Sequence, residues 1–516
     1  MNSLFPSSLD NTQSWRDDLV RNREMSILLL TVMLAAFCGV LQVAILGSVS
    51  VLVPLGVVLG AAYLFLVLGR SMAALVSFVL VFAEFLGLLP EASEVNSVKL
   101  IDIVTAMLVI PLFVHLMKEG FPFHGTVGRH LRLGAVILLV LITGQIFLTT
   151  LSTDQSFWLS VKAAKPYLYY FGFLVVPVYA GSPKQVRQLA SWMTLIASGL
   201  SLMYLLISLV GELGYLPALI VGEANYVGLG TFTRVRSNGA PLIVAMLLYQ
   251  FYRYVDGKSS GLEKLSLILL AMGTTVHFYR SLWVGILVGI VVQASIEGKR
   301  GARSVAKFLL FLVVLATAIS VIHPEYGEMI ASRALSTVTE VEQLNGSYGA
   351  RQEQIERWAP ILRDHWLLGI GFLHHDSAVG QQMEALYQLE GTGNYDVGWV
   401  DLLGRLGVLG IAFLTAALYL LTKGSWHSHL YEAGGDLAVL SRTLIAYLVA
   451  GVVSLPGYPI LSCGAGIIPM VLLVGMLSVL RQAEEEPFQE STGPRGGNVS
   501  LASSGAVVRQ AGGGYC

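Results

Sequence analysis

Residues 323–395 read HPEYGEMIASRALSTVTEVEQLNGSYGARQEQIERWAPILRDHWLLGIGFLHHDSAVGQQMEALYQLEGTGNY, the one long interruption in an otherwise nearly continuous series of apolar segments. The stretch carries Arg333, Arg351, Arg357 and Arg363 and the adjacent His374 and His375, and it stops one residue short of Asp396. To either side the chain is too apolar for a soluble domain: 55% of its 516 residues are hydrophobic, 13% are charged, and its mean hydropathy is +0.69. This is the composition of the membrane class. It predicts an all-α polytopic membrane helix bundle, with 323–397 as one large extracytoplasmic loop.

A bilayer core takes about 20 apolar residues per helix and tolerates roughly 17. Upstream of the loop this ruler finds candidates at 26–46, 49–68, 72–89, 100–116, 133–151, 165–180, 190–210, 238–254, 263–278, 281–295 and 305–322. Downstream it finds 398–422, 438–455 and 460–480. The segments at 165–180 and 281–295 are short, so the expected count is about 12 to 14. The organisation is then a cytoplasmic tail at 1–24, spans over 25–322, the loop at 323–397, further spans over 398–481, and a tail at 482–516. That last tail mixes Glu, Ser, Gly and Pro with too few apolar residues for a core, and disorder is expected there.

Lys and Arg in short loops stay on the cytoplasmic side. Arg70; Lys118, Arg129 and Arg132; Lys184 and Arg187; Arg253, Lys258 and Lys264; Lys299, Arg300, Arg303 and Lys307; and Lys423 fall in alternate connections. The connections between them at 47–48, 90–99 and 456–459 hold almost no positive charge. Both termini are therefore expected in the cytoplasm. The formal net charge of −1 gives no field for nucleic acid. The three cysteines, Cys38, Cys463 and Cys516, have neither disulfide nor metal spacing, so free thiols are expected.

Against this pattern the cations on the outer side stand out: Arg234 and Arg236 in TFTRVRSNGAPL, Arg280 in VHFYRSLWVG, and the four arginines of the loop. Snorkelling at the membrane boundary accounts for any single one. Arg280 is harder to treat so, because it sits in a very short connection between two spans, and an Arg toward the bilayer centre costs about 2.5–3.5 kcal/mol. An arginine fork binds phosphate oxygens bidentately and keeps its charge, so an anion at the outer leaflet is the expected partner.

Within the loop, Ile355, Trp358, Leu362 and Trp366 recur at helical spacing across 349–366. Two readings stand: an amphipathic helix lying in the membrane interface, or an ordinary helix packed within the loop. The glycines of GIGF end it, and His374-His375 follow. A neutral histidine near pH 7 can accept a proton from an attacking hydroxyl, although a loop histidine is as often merely solvated. As a metal site HHD lacks the spacing of zinc motifs. No phosphate-binding loop and no nucleophile elbow are present, so the energy for a reaction has to come from its substrate.

In their order these features resemble the O-antigen ligase and polysaccharide polymerase superfamily of membrane glycosyltransferases. The likeness covers about 230–412: Arg236-Ser-Asn-Gly239-Ala-Pro241, TTVHFYRS with Arg280, Arg351 followed by Trp358 and DHWLLGIGF, and LLGRLGVLG. The departures are Trp366 in place of the usual Pro, Tyr395-Asp396 in place of His-Asn, and Arg405 where an acidic residue is common. They incline the reading toward an exopolysaccharide polymerase over a lipid A core ligase. The resemblance implies an inverting, metal-independent GT-C-type transfer without cofactors. The donor would be an undecaprenyl-diphosphate-linked glycan and the acceptor a sugar hydroxyl, at the outer face of a bacterial inner membrane. Arg236, Arg280 and Arg351 would hold the diphosphate, with Arg234 secondary; His375 or His374 would be the base, with Asp396 as competitor. Flippase and chain-length or export proteins would be further partners, beside the lipid bilayer. A lipid-linked oligosaccharide transporter and a noncatalytic member of an export complex are the rival readings.

Overall fold

The computed structural model describes residues 71–83, 100–210, 226–229, 232–235, 239–277, 279–322, 346–387, 397–426 and 435–492, with a few isolated positions besides. The N-terminal tail, the spans expected at 26–46 and 49–68, Arg236, Arg333, Asp396 and the residues after 492 lie outside them. The protein is an all-α polytopic membrane protein. Among the described residues seven helices are long and apolar enough to cross a membrane.

In chain order the helices are α1 (Met72–Phe82), α2 (Leu100–Lys118), α3 (Gly125–Thr153), α4 (Phe157–Leu168), α5 (Val175–Tyr179) and α6 (Pro183–Val210). After them come α7 (Ala240–Val255), α8 (Gly261–Val276), α9 (Arg280–Glu297), α10 (Lys299–Ile322), α11 (Gly346–Asp364), α12 (Ala378–Tyr387), α13 (Gly398–Thr422), α14 (Gly435–Ser454) and α15 (Gly464–Thr492). Three local results differ from the sequence reading. The span expected at 165–180 is divided into α4, a 3-10 stretch over Tyr169–Leu174 and α5. Pro166 and Pro177 lack the N–H that a continuous helix needs there. Tyr226–Leu229 (β1) and Phe232–Val235 (β2) form a small antiparallel hairpin, which aromatic and β-branched residues favour. The disorder expected from 482 does not begin there, since α15 runs on to Thr492 through the helix-forming Glu484-Glu485-Glu486 run.

Lipid offers helices no hydrophobic drive to associate, so close packing depends on small residues. Gly285 and Gly289 on α9 supply a GxxxG face, and what they meet is the backbone of Ala450 and Ala446 on α14. A methyl at Gly285 would lie 2.6 Å from the Ala450 carbonyl oxygen. The two helices therefore run in contact, which sets Arg280, the first residue of α9, beside the turn that follows α14.

At the opposite end of these helices the side chain of Arg442 reaches Asp256 Oδ1 at 2.6 Å and also pairs with Glu297. Arg187–Asp436 (2.6 Å) and Arg253–Glu263 (2.8 Å) lie on connections the charge pattern assigns to that same side.

Helix α13 is broken. Gly407 has φ 63° and ψ 179° inside it, a conformation that costs little only without a Cβ. A break at membrane depth strands backbone groups, each worth several kcal/mol if left in hydrocarbon. The WLLGIG turn of the large loop satisfies them. Val408 and Leu409 donate to the carbonyls of Trp366 (2.9 Å) and Leu367 (3.1 Å), while Ile370 and Gly371 donate to Gly404 (2.7 Å) and Arg405 (3.1 Å). Gln145 Nε2 of α3 adds bonds to the carbonyls of Leu368 (3.0 Å) and Leu406 (3.3 Å). This part of the loop is thus a turn seated in the break of a discontinuous helix.

Candidate active site

The turn at 455–459 (Leu-Pro-Gly-Tyr-Pro) draws three elements together. Gly398 at the start of α13 donates to the Leu455 carbonyl at 2.8 Å. Gly457 leaves room for the other two: a β-carbon there would stand 2.8 Å from Ser281 Oγ and 3.2 Å from Arg351 Cζ. The guanidinium of Arg351, on α11, therefore meets the N-terminal turn of α9, which begins Arg280-Ser281 and has no side-chain cap. The positive end of the helix dipole favours an anion at such a place, and the Arg351 guanidinium adds to it. Arg280 and Arg351 are half-buried.

An aromatic row connects this point to the start of α7. Gly239 abuts the Tyr204 hydroxyl and the Ala83 carbonyl; Tyr204 meets His277 edge-on at 5.2 Å, His277 stacks on Tyr279 at 6.1 Å, and Tyr279 meets Tyr458 at 4.7 Å. Gly239 and Pro241 belong to the motif read from the sequence, and Pro241 sits in the first turn of α7, where its missing N–H costs nothing. Arg234 pairs through its backbone with Val227 in the hairpin. Arg236 lies outside the described residues.

The apolar face of helix α11 packs on protein. Trp358 is 3% exposed, its ring against Gly404 of α13, and it anchors a small core with Ile361, Ile370, Leu373, Val397 and Val400. Of the two readings of 349–366 the packed helix is the one realised; Trp366 lies beyond its end and is exposed.

The two histidines stand differently. His374 is buried; its Nδ1 accepts the Asp376 N–H at 3.1 Å, so the proton of the neutral ring sits on Nε2. Burial, with His375 and Lys162 beside it, lowers its affinity for a proton below the usual imidazole value. His375 is 61% exposed, stacks on His374 at 4.3 Å, and has Nε2 3.1 Å from Asp376 Oδ1. A carboxylate holding Nε2–H leaves Nδ1 as the accepting nitrogen. Lys162 of α4, a cation the sequence reading did not single out, lies 3.6 Å from Asp376 Oδ2. His374, His375 and Asp376 bring ligand atoms within 4.8 Å of one another. With one nitrogen already bonded and an ammonium at the carboxylate, this donor set suits a carboxylate–imidazole pair better than a divalent cation.

Arg280 and Arg351 are thus brought to one turn, and His374 and His375 to another. Helix α13 connects the two places, since its first residue docks on the 455–459 turn and its Gly404–Leu409 segment receives the loop that leads to His374. Val397 is buried beside that docking point, and Asp396, just before it, lies outside the described residues. Gly457, Ser281 and Lys162 are additions to the residues the sequence singled out, whereas Asp376 is legible there, next to His375, as the group that fixes its tautomer. The adjacency of Arg280 and Ser281 was a usable signal; nothing local marked Gly457 or Lys162.

Residues 265–415 match the family model described as O-Antigen ligase. The matched segment contains Arg280, Arg351, His374, His375 and Asp396, and the resemblance read from the sequence to the O-antigen ligase and polysaccharide polymerase superfamily holds over it. No curated protein matches the chain.

Proposed function

We propose that this multi-pass membrane protein, whose O-antigen ligase segment marks a glycan-transferring family, is a polysaccharide polymerase of the exopolysaccharide or O-antigen type. It transfers a glycan from undecaprenyl diphosphate to an acceptor sugar hydroxyl at the outer face of the bacterial inner membrane. The observation that carries the reading is the meeting of Arg351 with the uncapped start of α9 at Gly457. Guanidinium forks at the positive end of a helix dipole are a receptor for a diphosphate, and they act on the charge that grows as it leaves.

In the transfer, the acceptor oxygen forms a bond to the anomeric carbon on the face opposite the departing phosphate oxygen, and the carbon–oxygen bond to the diphosphate breaks with inversion. His375 Nδ1 takes the hydroxyl proton, with Asp376 fixing its tautomer. The diphosphate leaves as an anion against Arg280 and Arg351, with Arg236 and Arg234 contributing from the segment before α7. The arginines supply the positive charge that a metal would otherwise bring. A lipid A core ligase would use the same bond changes with a different acceptor.

A strain lacking the protein tests the assignment. It is expected to accumulate single lipid-linked repeat units on the outer leaflet. Accumulation of full-length lipid-linked polymer would indicate a ligase, and accumulation on the inner leaflet would indicate a transporter and contradict the reading.

A further inference from the structure

The backbone on either side of Leu373 is held by two side chains from a distant part of the chain. Gln155, in the short connection between α3 and α4, is buried; its Oε1 accepts the His374 N–H at 2.8 Å, and its Nε2 donates to the Phe372 carbonyl at 3.0 Å and to Ser160 Oγ at 2.8 Å. Thr149 on α3 is buried too; its Oγ1 accepts the Phe372 N–H at 2.7 Å and donates to the Gln145 carbonyl at 2.7 Å. Gly371, at φ 73°, packs directly on that hydroxyl. Together they replace the pairing that a neighbouring strand would give, immediately before His374. Both residues lie outside the matched segment 265–415.

We propose that Gln155 and Thr149 are positioning residues for the His374–His375–Asp376 turn, setting its depth against α3 and α13. The inference rests on the reading of that turn as the site of proton removal. A buried amide that bonds the backbone at Phe372 and at His374 fixes both position and rotation of the segment, and neither group touches the reacting atoms. Displacing a catalytic group by about 1 Å can cost on the order of 10²-fold in rate.

The test measures extension of lipid-linked repeats, extracted from a strain lacking the protein, by the purified full chain and its variants. Gln155→Ala and Thr149→Val should lower kcat at least roughly 10-fold with little change in KM for the lipid-linked donor, and Thr149→Ser, which keeps the hydroxyl, should restore kcat. His375→Ala and His374→Ala are measured alongside. If the positioning variants turn over normally while a histidine variant is dead, the inference falls and the reading of the turn stands. If neither histidine variant has an effect, that reading falls and the inference with it. A loss shared by kcat and KM that follows thermal stability, with no recovery in Thr149→Ser, makes the two residues merely structural and also overturns the inference.

Discussion

At the scale of single residues the account turns on arginine geometry and on the difference between two adjacent histidines. Arg280→Lys keeps the charge but not the fork, and most activity should be lost at normal protein level; a fully active variant would return Arg280 to a snorkelling role. Gly457→Ala asks the same of the site's space, because the atoms that must give way are the ends of Ser281 and Arg351 and not backbone, so transfer should fall while the fold survives. His375→Ala should lose about 10²-fold or more in turnover and still bind the donor, and Asp396→Asn should matter less. The opposite result, with Asp396→Asn dead and both histidine variants active, gives the proton to the carboxylate. The imidazole of His374 has its pKa lowered by burial, so its neutral form, which accepts the Asp376 N–H, persists through the ordinary range near 6.5 and is lost only as pH falls through the lower folded value. The stabilisation it gives the turn is thus present above the unfolded pKa. Histidine-resolved NMR should find a midpoint below the usual one; a normal or raised midpoint contradicts the buried placement.

At the scale of elements, the helices were legible and the joints between them were only partly so. The periodic apolar runs gave α3, α6, α9, α10, α13, α14 and α15 because a membrane span is written in about 20 consecutive residues. The GxxxG of Gly285 and Gly289 was also written locally, although its partners Ala446 and Ala450 were not. Gly407, in a glycine-rich run of α13, gave no sign that residues 366–371 of the large loop would fill its break. The bonds of Gln155 to His374 and of Thr149 to Phe372 span 219 and 223 residues, and no spacing rule reaches so far. The break itself predicts an outcome. Gly407→Ala puts a β-carbon at φ 63° and ψ 179°, a conformation nearly confined to glycine, and into the backbone of Leu367 and Gly369, so it should cost more than the backbone strain of about 1–3 kcal/mol alone. Thermal unfolding in detergent should show a clear loss together with reduced transfer; an unchanged midpoint would mean that the 366–371 turn is not seated there.

At the scale of the molecule, the alternation of Lys and Arg orders the connections, and the structure gathers the ends so assigned. Arg442 with Asp256 and Glu297, Arg187 with Asp436, and Arg253 with Glu263 lie at one end; Gly457, Ser281 and Arg351 lie at the other. A cysteine introduced at position 345 in the large loop should accordingly react with an impermeant reagent from outside the cell, and reaction only from the cytoplasm would remove both the topology and the mechanism. The central claim is that this chain alone joins glycans at the outer face from a lipid diphosphate. It is tested most directly by reconstituting the purified protein in liposomes with lipid-linked repeat units, without nucleotide or divalent metal. The account predicts longer lipid-linked glycans and release of polyprenyl diphosphate, both abolished in Arg280→Lys. Failure to extend the repeats under these conditions, or extension undiminished in that variant, would contradict it.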